Sequence, residues 1–201
     1  TAPWGHFSTN IRFYHRTLTL FGVAAMIAEA IGVDGRPEVR DKLGELVTYL
    51  ELYRLALVGV EAEAYLTPGG LLAPAVSPAL GIYAAQISGR LSEIVRQIGT
   101  SGLIMQPSER DLANPALRPF LDRYMRGKKM GVVEKSRLFR LGWDLVVDSF
   151  GMRQDLYEFL HRGDISRNRT NLYLSYDRTA IVGRIAEMIK RPLPHNGQAS
   201  T

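Results

Sequence analysis

A chain of 201 residues, 46% hydrophobic and 22% charged, has the size and make-up of one globular domain or two small ones. It has no cysteine, which excludes disulfides, cysteine-ligated zinc, iron–sulfur ligation by this chain and thiol catalysis. Its net charge of +5 is uneven: residues 1–100 carry 8 Lys/Arg and 9 Asp/Glu, residues 101–201 carry 17 and 11.

The chain opens "TAPWGHF", with no initiator Met and no charged leader, and an internal start is expected. No apolar run approaches the length of a membrane span. The first helix is predicted from about Ser8 to Ile31, with Ile11, Leu18, Phe21, Ala25 and Ala28 on its apolar face. It carries Arg12 and also His15, for which a partly buried, satisfied imidazole is the expectation. Gly32 suits the position after the helix, and "VDGRP" reads as a short antiparallel connection. Pro37 opens a second helix, on which Val39, Leu43, Leu46, Leu50, Tyr53, Leu57, Val60 and Ala64 form a stripe at steps of four and three. Such a stripe needs a second long helix to pack along. "TPGGLLAPAVSP" (67–78) is a loop by its Gly and Pro content. A third long helix follows over Pro78–Ile98 and stops at "GTSG". "PSERD" (107–111) carries a capping-box pattern on Ser108 and Asp111. A short helix is predicted over Pro115–Arg126, another from Gly131 through Trp143, and a last one over Tyr176–Lys190. No strand alternation and no internal repeat is visible. The expected fold is all-α, an antiparallel helical bundle framed by three or four long helices and spanning residues 1–192. The polar segment 193–201 is expected to be a disordered tail.

The four histidines, His6, His15, His161 and His195, show neither HxxxH nor HExxH spacing, so no metal site is expected. Glu61 and Glu63 lie two apart and point in different directions on a helix, unlike a paired acid/base site. GxSxG, P-loop and GxGxxG patterns are absent. The stretch from Arg118 to Arg140 holds eight Lys/Arg against Asp122 and Glu134. It reads as a solvated helix face, with a phosphate-bearing ligand or nucleic acid as the alternatives. Three features suit an anion or cofactor surface: Arg12; "QIGTSG" (97–102), with Gln97, Gly99 and Thr100 at a helix end; and "FGMRQ" (150–154). The plainer readings are a surface arginine, a helix stop and a helix kink.

The segment "KSRLFRLGWDLVVDSFGMRQDLYEFLHRGD" (135–164) resembles the C-terminal signature of the 4-hydroxyphenylacetate 3-hydroxylase family at Trp143, Asp144, Phe150, Gly151, Arg153, Gln154, Leu156, Tyr157, Glu158, Gly163 and Asp164. Likeness extends through "GTSGLIMQPSERDLANP", the opening "IRFYHRTLTLFGVAAMIAEAIG" and "LYLSYDR". These are oxygenase components of two-component, reduced-flavin-dependent phenol monooxygenases. They are longer proteins, similar to acyl-CoA dehydrogenases, with an N-terminal helical domain, a middle β-domain and a C-terminal bundle; this chain is similar to the bundle alone. The resemblance implies FAD as cofactor, supplied reduced by a separate flavin reductase, and addition of one oxygen atom from O2 ortho to a phenolic hydroxyl. It also implies a cytoplasmic homo-tetramer and a phenolic substrate held mainly by the other domains, with no catalytic residue carried on this chain. Gly151, Met152, Arg153 and Gln154 would touch FAD, as would Gln97, Gly99 and Thr100 across a subunit boundary, with Arg12 near the flavin phosphates. Neither nucleic acid nor membrane is an expected partner, and the chain alone is expected to be inactive. The related 4-hydroxybutyryl-CoA dehydratases place a cysteine after a histidine on the first helix; "RTLTLFG" after His15 has none. A stand-alone helical scaffold and, further off, a nucleic-acid-binding bundle are the competing readings.

Overall fold

The computed structural model describes residues 2–190, without the side chain of Ala2. Helix α1 (Ala2–Ile31) and helix α2 (Pro37–Ala62) form an antiparallel hairpin. Gly32 closes α1 at φ +76°, and the Val33 amide returns to the Ala28 carbonyl at 2.9 Å, the left-handed stop that glycine allows. The α2 stripe is buried at Val39, Leu46, Leu50, Tyr53 and Val60 and half-buried at Leu43 and Leu57, while Ala64 falls beyond the helix end.

The expected face of α1 is not its core face. Phe13, Thr17, Leu20, Ala24 and Ile27 are buried, whereas Ile11, Phe21 and Ala25 are half-exposed and Leu18 is exposed; only Ala28 of the expected set is fully buried. This helix is apolar around most of its circumference. Its orientation is set by packing against α2, the third helix and the Trp143 helix together. His15 is exposed, with its ring edge against Tyr14, and is not the partly buried histidine expected.

The connection after α2 holds a two-residue antiparallel pair, β1 (Tyr65–Leu66) and β2 (Leu72–Ala73), where no strand is predicted. Thr67 and Leu71 close the turn between them, and the Trp4 indole N–H donates to the Leu72 carbonyl at 3.0 Å, fixing the hairpin against α1. Helix α3 (Pro78–Gly99) starts on Ser77, whose Oγ accepts from the Ala79 amide. It supplies Ala84, Ile87, Leu91, Ile94, Val95 and Ile98 to the core. It ends at Thr100, the one non-glycine among the described residues with positive φ (+48°), which opens a 3₁₀ turn over Thr100–Leu103.

Helix α4 (Glu109–Ala113) has the expected Ser108–Asp111 capping box. The short helix predicted over 115–126 is confined to α5 (Arg118–Tyr124), because Asn114 and Pro115 lead into a turn. Helix α6 (Val132–Val146) brings Leu138, Phe139 and Val146 to the core, and α7 (Ser149–Leu160) follows at once. Helix α8 (Ile165–Ser175) is not in the sequence prediction. It begins on Asp164, which accepts from the Arg167 amide at 2.6 Å, after Gly163 at φ +81°. Helix α9 (Thr179–Ile189) starts three residues later than predicted, because Tyr176 is already the extended residue that ends α8. Segment 193–201, expected as a tail, lies outside the described residues. Among the described residues no helix is long and apolar enough to cross a membrane.

Candidate functional site

The junction of α6 and α7 decides where the helix kink read at "FGMRQ" (150–154) falls. The α6 helix ends at Val146 and Asp148 is the extended N-cap residue of α7, so the break precedes Gly151 instead of falling on it. Gly151 is buried in the first turn of α7. A Cβ there would lie 2.4 Å from the Leu145 carbonyl, so the missing side chain lets α7 cross the end of α6 in backbone contact. Asp148 makes no side-chain capping bond, which leaves the first-turn amides of α7 uncapped.

From that turn, α7 directs Gln154, Asp155 and Glu158 at α1 and α3. The spacing places Gln154 and Glu158 one above the other, and the Gln154 amide donates to Glu158 Oε1 at 3.0 Å. Glu158 is fully buried. Its carboxylate takes a two-point fork from Arg12 of α1, with Nη2 to Oε2 at 3.1 Å and Nη1 on Oε1. A buried carboxyl group without partners would be costly, and these three donors satisfy both of its oxygens. Burial works against the Arg12 charge, but the Glu158 hydrogen bonds and charge outweigh it, and the guanidinium is held above its usual pKa. The same guanidinium lies 4.8 Å from the Tyr157 ring centroid, and Tyr157 stacks on His161 at 4.4 Å and 5°. His161 Nδ1 is 2.8 Å from the Tyr157 carbonyl, which can only accept, so Nδ1 carries the proton. Burial pushes the His161 pKa down, so the imidazole is neutral.

One turn along, Asp155 accepts from Arg16 of α1 and from Ser92 Oγ of α3 at 2.7 Å. Arg96 of α3 donates to the Val146 carbonyl at 2.8 Å and stands 3.9 Å from Asp155. A charged seam therefore runs between α1, α3 and α7, and α7 supplies both carboxylates. Beside it, between the start of α1, the start of α3 and helix α8, lies a cavity of about 710 Å³ lined by His6, Asn10, Gly81, His161, Arg162 and Asn171 among others.

Of the residues singled out from sequence, Arg12 and Gln154 come together, joined through Glu158. Arg153 is exposed: its Nε donates to the Ser149 carbonyl at 3.2 Å and its two terminal nitrogens make no recorded contact. Met152 is also exposed. Gln97 is exposed and donates to Glu93 at 2.7 Å. Gly99 is buried beneath Leu103, and Thr100 is exposed at the strained end of α3. No hydrogen bond or ion pair among the described residues joins Gln97, Gly99 or Thr100 to segment 151–154; the neighbouring Arg96 reaches only the Val146 carbonyl and Asp155, on either side of it. The sequence reading matched Glu158 only as part of the signature and gave it no place in the site, and it missed Asp155, Arg16 and Ser92. The signal for Glu158 was present, as an acid one turn after Gln154 on an otherwise apolar-aromatic segment.

The family model described as 4-hydroxyphenylacetate 3-hydroxylase C terminal matches residues 1–190. The 4-hydroxyphenylacetate 3-monooxygenase oxygenase component of Thermus thermophilus is 39% identical over 181 residues, covering 89% of this chain and 37% of the relative. That of a Geobacillus species is 32% identical over 177 residues, covering 87% and 36%. A crystal structure of an oxygenase component of 4-hydroxyphenylacetate 3-monooxygenase, complexed with FAD and 4-hydroxyphenylacetate, superposes with a TM-score of 0.80 at 39% identity, covering 87% of this chain and 37% of that one. An archaeal 4-hydroxybutyryl-CoA dehydratase from N. maritimus shares the fold, with a TM-score of 0.77 at 18% identity. The chain thus spans a little over a third of the length of the relatives it matches. With the α6–α7 pattern and the all-helical bundle in place, the chain belongs to the 4-hydroxyphenylacetate 3-hydroxylase C-terminal family.

Proposed function

We propose that this chain is the C-terminal helical domain of a longer, reduced-flavin-dependent aromatic monooxygenase, where it walls the FAD site and takes part in assembly. The observation that carries the reading is α7. Its uncapped first turn and the outward guanidinium of Arg153 lie along one short stretch. That donor set suits a diphosphate-bearing cofactor. Gln154 is oriented by its bond to Glu158, so its oxygen remains an acceptor for a ligand group. When bound, the reduced flavin supplies the reaction with O2 that adds one oxygen atom to a phenol ring. This chain's residues bind, orient and exclude water. Gln97 and Thr100, exposed at the end of α3 with Gly99 buried behind them, would meet a flavin held by a second copy of the chain.

Assembly as a homo-tetramer is supported by the apolar side chains left exposed on α7 and α9. A separate flavin reductase as functional partner follows from the oxygenase-component names of the relatives. A reducing, cytoplasmic location is consistent with the absence of cysteine.

The test is FAD titration of the full-length protein that contains this chain. Arg153→Ala and Gln154→Ala are each expected to weaken FAD binding by roughly tenfold, the value of one charge-assisted or well-oriented hydrogen bond, with an unchanged melting temperature. Unaltered FAD affinity in both variants would remove α7 from the flavin site. The 201-residue chain alone is expected to form no catechol product.

A further inference from the structure

The charge-dense stretch from Arg118 to Arg140 is not used by the flavin reading, and the fold gathers part of it in one place. Arg123 from the end of α5, Arg126 and Lys128 from the following turn, and Lys135 from α6 line a single depression of about 560 Å³ over the C-terminal end of α1. No Asp or Glu lines it; Glu29, Asp122 and Glu134, each next in sequence to a lining residue, are exposed and lie outside, and Asp122 pairs with Arg118. Among the described residues none of these four cations has an ion-pair partner. The end of a helix dipole favours a positive charge nearby, but only to the extent of about half a charge, which leaves four cations far from balanced.

The depression is also held in shape. The Lys128 amide donates to the Ala30 carbonyl at 2.7 Å, and Gly127 accepts no side chain, since a Cβ would meet Met130 at 2.7 Å and the Ala30 carbonyl at 3.0 Å. The Lys128 stem lies against Gly32, where a Cβ would stand 2.6 Å from its Cδ. The half-buried Lys135 ammonium rests 5.6 Å from the Phe139 ring centroid. Burial lowers the Lys135 pKa, an unfavourable situation for an ammonium that a bound anion would relieve.

We propose that this depression is a phosphate-binding site, built for the phosphate or diphosphate of a small ligand. Two guanidinium and two ammonium side chains lining one depression without a carboxylate, with Arg123 also over the Tyr124 ring at 5.3 Å, are the recognition chemistry of such an anion. The depression is confined to the end of α1 and the α5–α6 connection, which favours a small ligand over an extended polyanion. The inference does not depend on the flavin reading.

The test is calorimetric titration of the 201-residue chain with inorganic pyrophosphate, ADP and FAD at low and moderate salt. Pyrophosphate is expected to bind and to weaken as salt rises. The double variant Lys128→Gln/Lys135→Gln is expected to weaken it by at least roughly tenfold with an unchanged melting temperature, while Arg54→Gln on α2 leaves it unchanged. If Lys135→Gln lowers the melting temperature, Arg126→Gln, on the exposed turn, gives the same comparison. Competition between pyrophosphate and FAD would identify the flavin diphosphate as the source; independent binding would point to another phosphate ligand. Absence of pyrophosphate binding at low salt, or equal losses in Arg54→Gln, would overturn the site. So would tighter binding of a single-stranded oligonucleotide that depends equally on Arg137, which lies outside the depression.

Discussion

Arg12 and Glu158 show why one ion pair is not symmetric. The Glu158 side chain is 0% exposed and the Arg12 side chain 37%. Removing the arginine strands a carboxylate that water cannot reach, whereas removing the acid leaves a guanidinium that can turn to solvent. Arg12→Met is therefore expected to cost about 3 kcal/mol, the scale for breaking a buried pair. Glu158→Gln should cost only about 1 kcal/mol, the scale of weakened hydrogen bonds. Urea denaturation of the two variants checks the order, and an equal loss would contradict the asymmetry. Arg12 was visible in the sequence as a cation on an apolar helix, but its partner lies 146 residues away. Local patterning carries no information about which acid such a residue meets.

Two glycines in helices make the corresponding point for elements. Gly151 abuts the backbone of Leu145 and Val146, and Gly44 on α2 has nothing within 4 Å of an added Cβ. Alanine at Gly151 must push α7 off α6, and overpacking against backbone costs about 2 kcal/mol or more. Alanine at Gly44 should stabilise by up to about 1 kcal/mol, through helix propensity alone. The opposite signs are to be read as shifts in the urea midpoint. "FGMRQ" suggested a kink from sequence, and a break exists just ahead of it. Its position at Val147–Asp148, and the use of Gly151 for a helix crossing, depend on how α6 and α7 meet. Helix α8 was missed for a related reason: "ISRNRTNLYLS" is polar, buries no residue fully and so has no apolar period to read.

At the scale of the molecule, the inconsistency is between a well-filled core and a bare C-terminal face. Helix α9 exposes Ile181, Val182, Ile185, Met188 and Ile189 at 53–79%, and α7 adds Leu156, Phe159 and Leu160 at half exposure or more. An apolar surface of that extent is characteristic of interfaces. The chain is expected to sediment above its 22.4 kDa monomer mass. Ile181→Glu/Ile185→Glu should shift it toward the monomer with its helix content retained. A wild-type chain that stays monomeric at high concentration would count against assembly through α9.

The sequence alone determined the helical class, the α1–α2 hairpin with its glycine stop, the α2 core stripe, the Ser108 cap and the α7 segment that identifies the family. These are readable because each rests on residues within a few positions of one another, where helix period, turn chemistry and motif spacing act. Only the tertiary structure decided which face of α1 is buried, that Arg12 and Gln154 share Glu158, and that four of the eight cations between Arg118 and Arg140 line one depression at the end of α1. Those outcomes are set by contacts between residues far apart in the chain, through the competition of several helices for one apolar surface and the need of each buried charge for a partner.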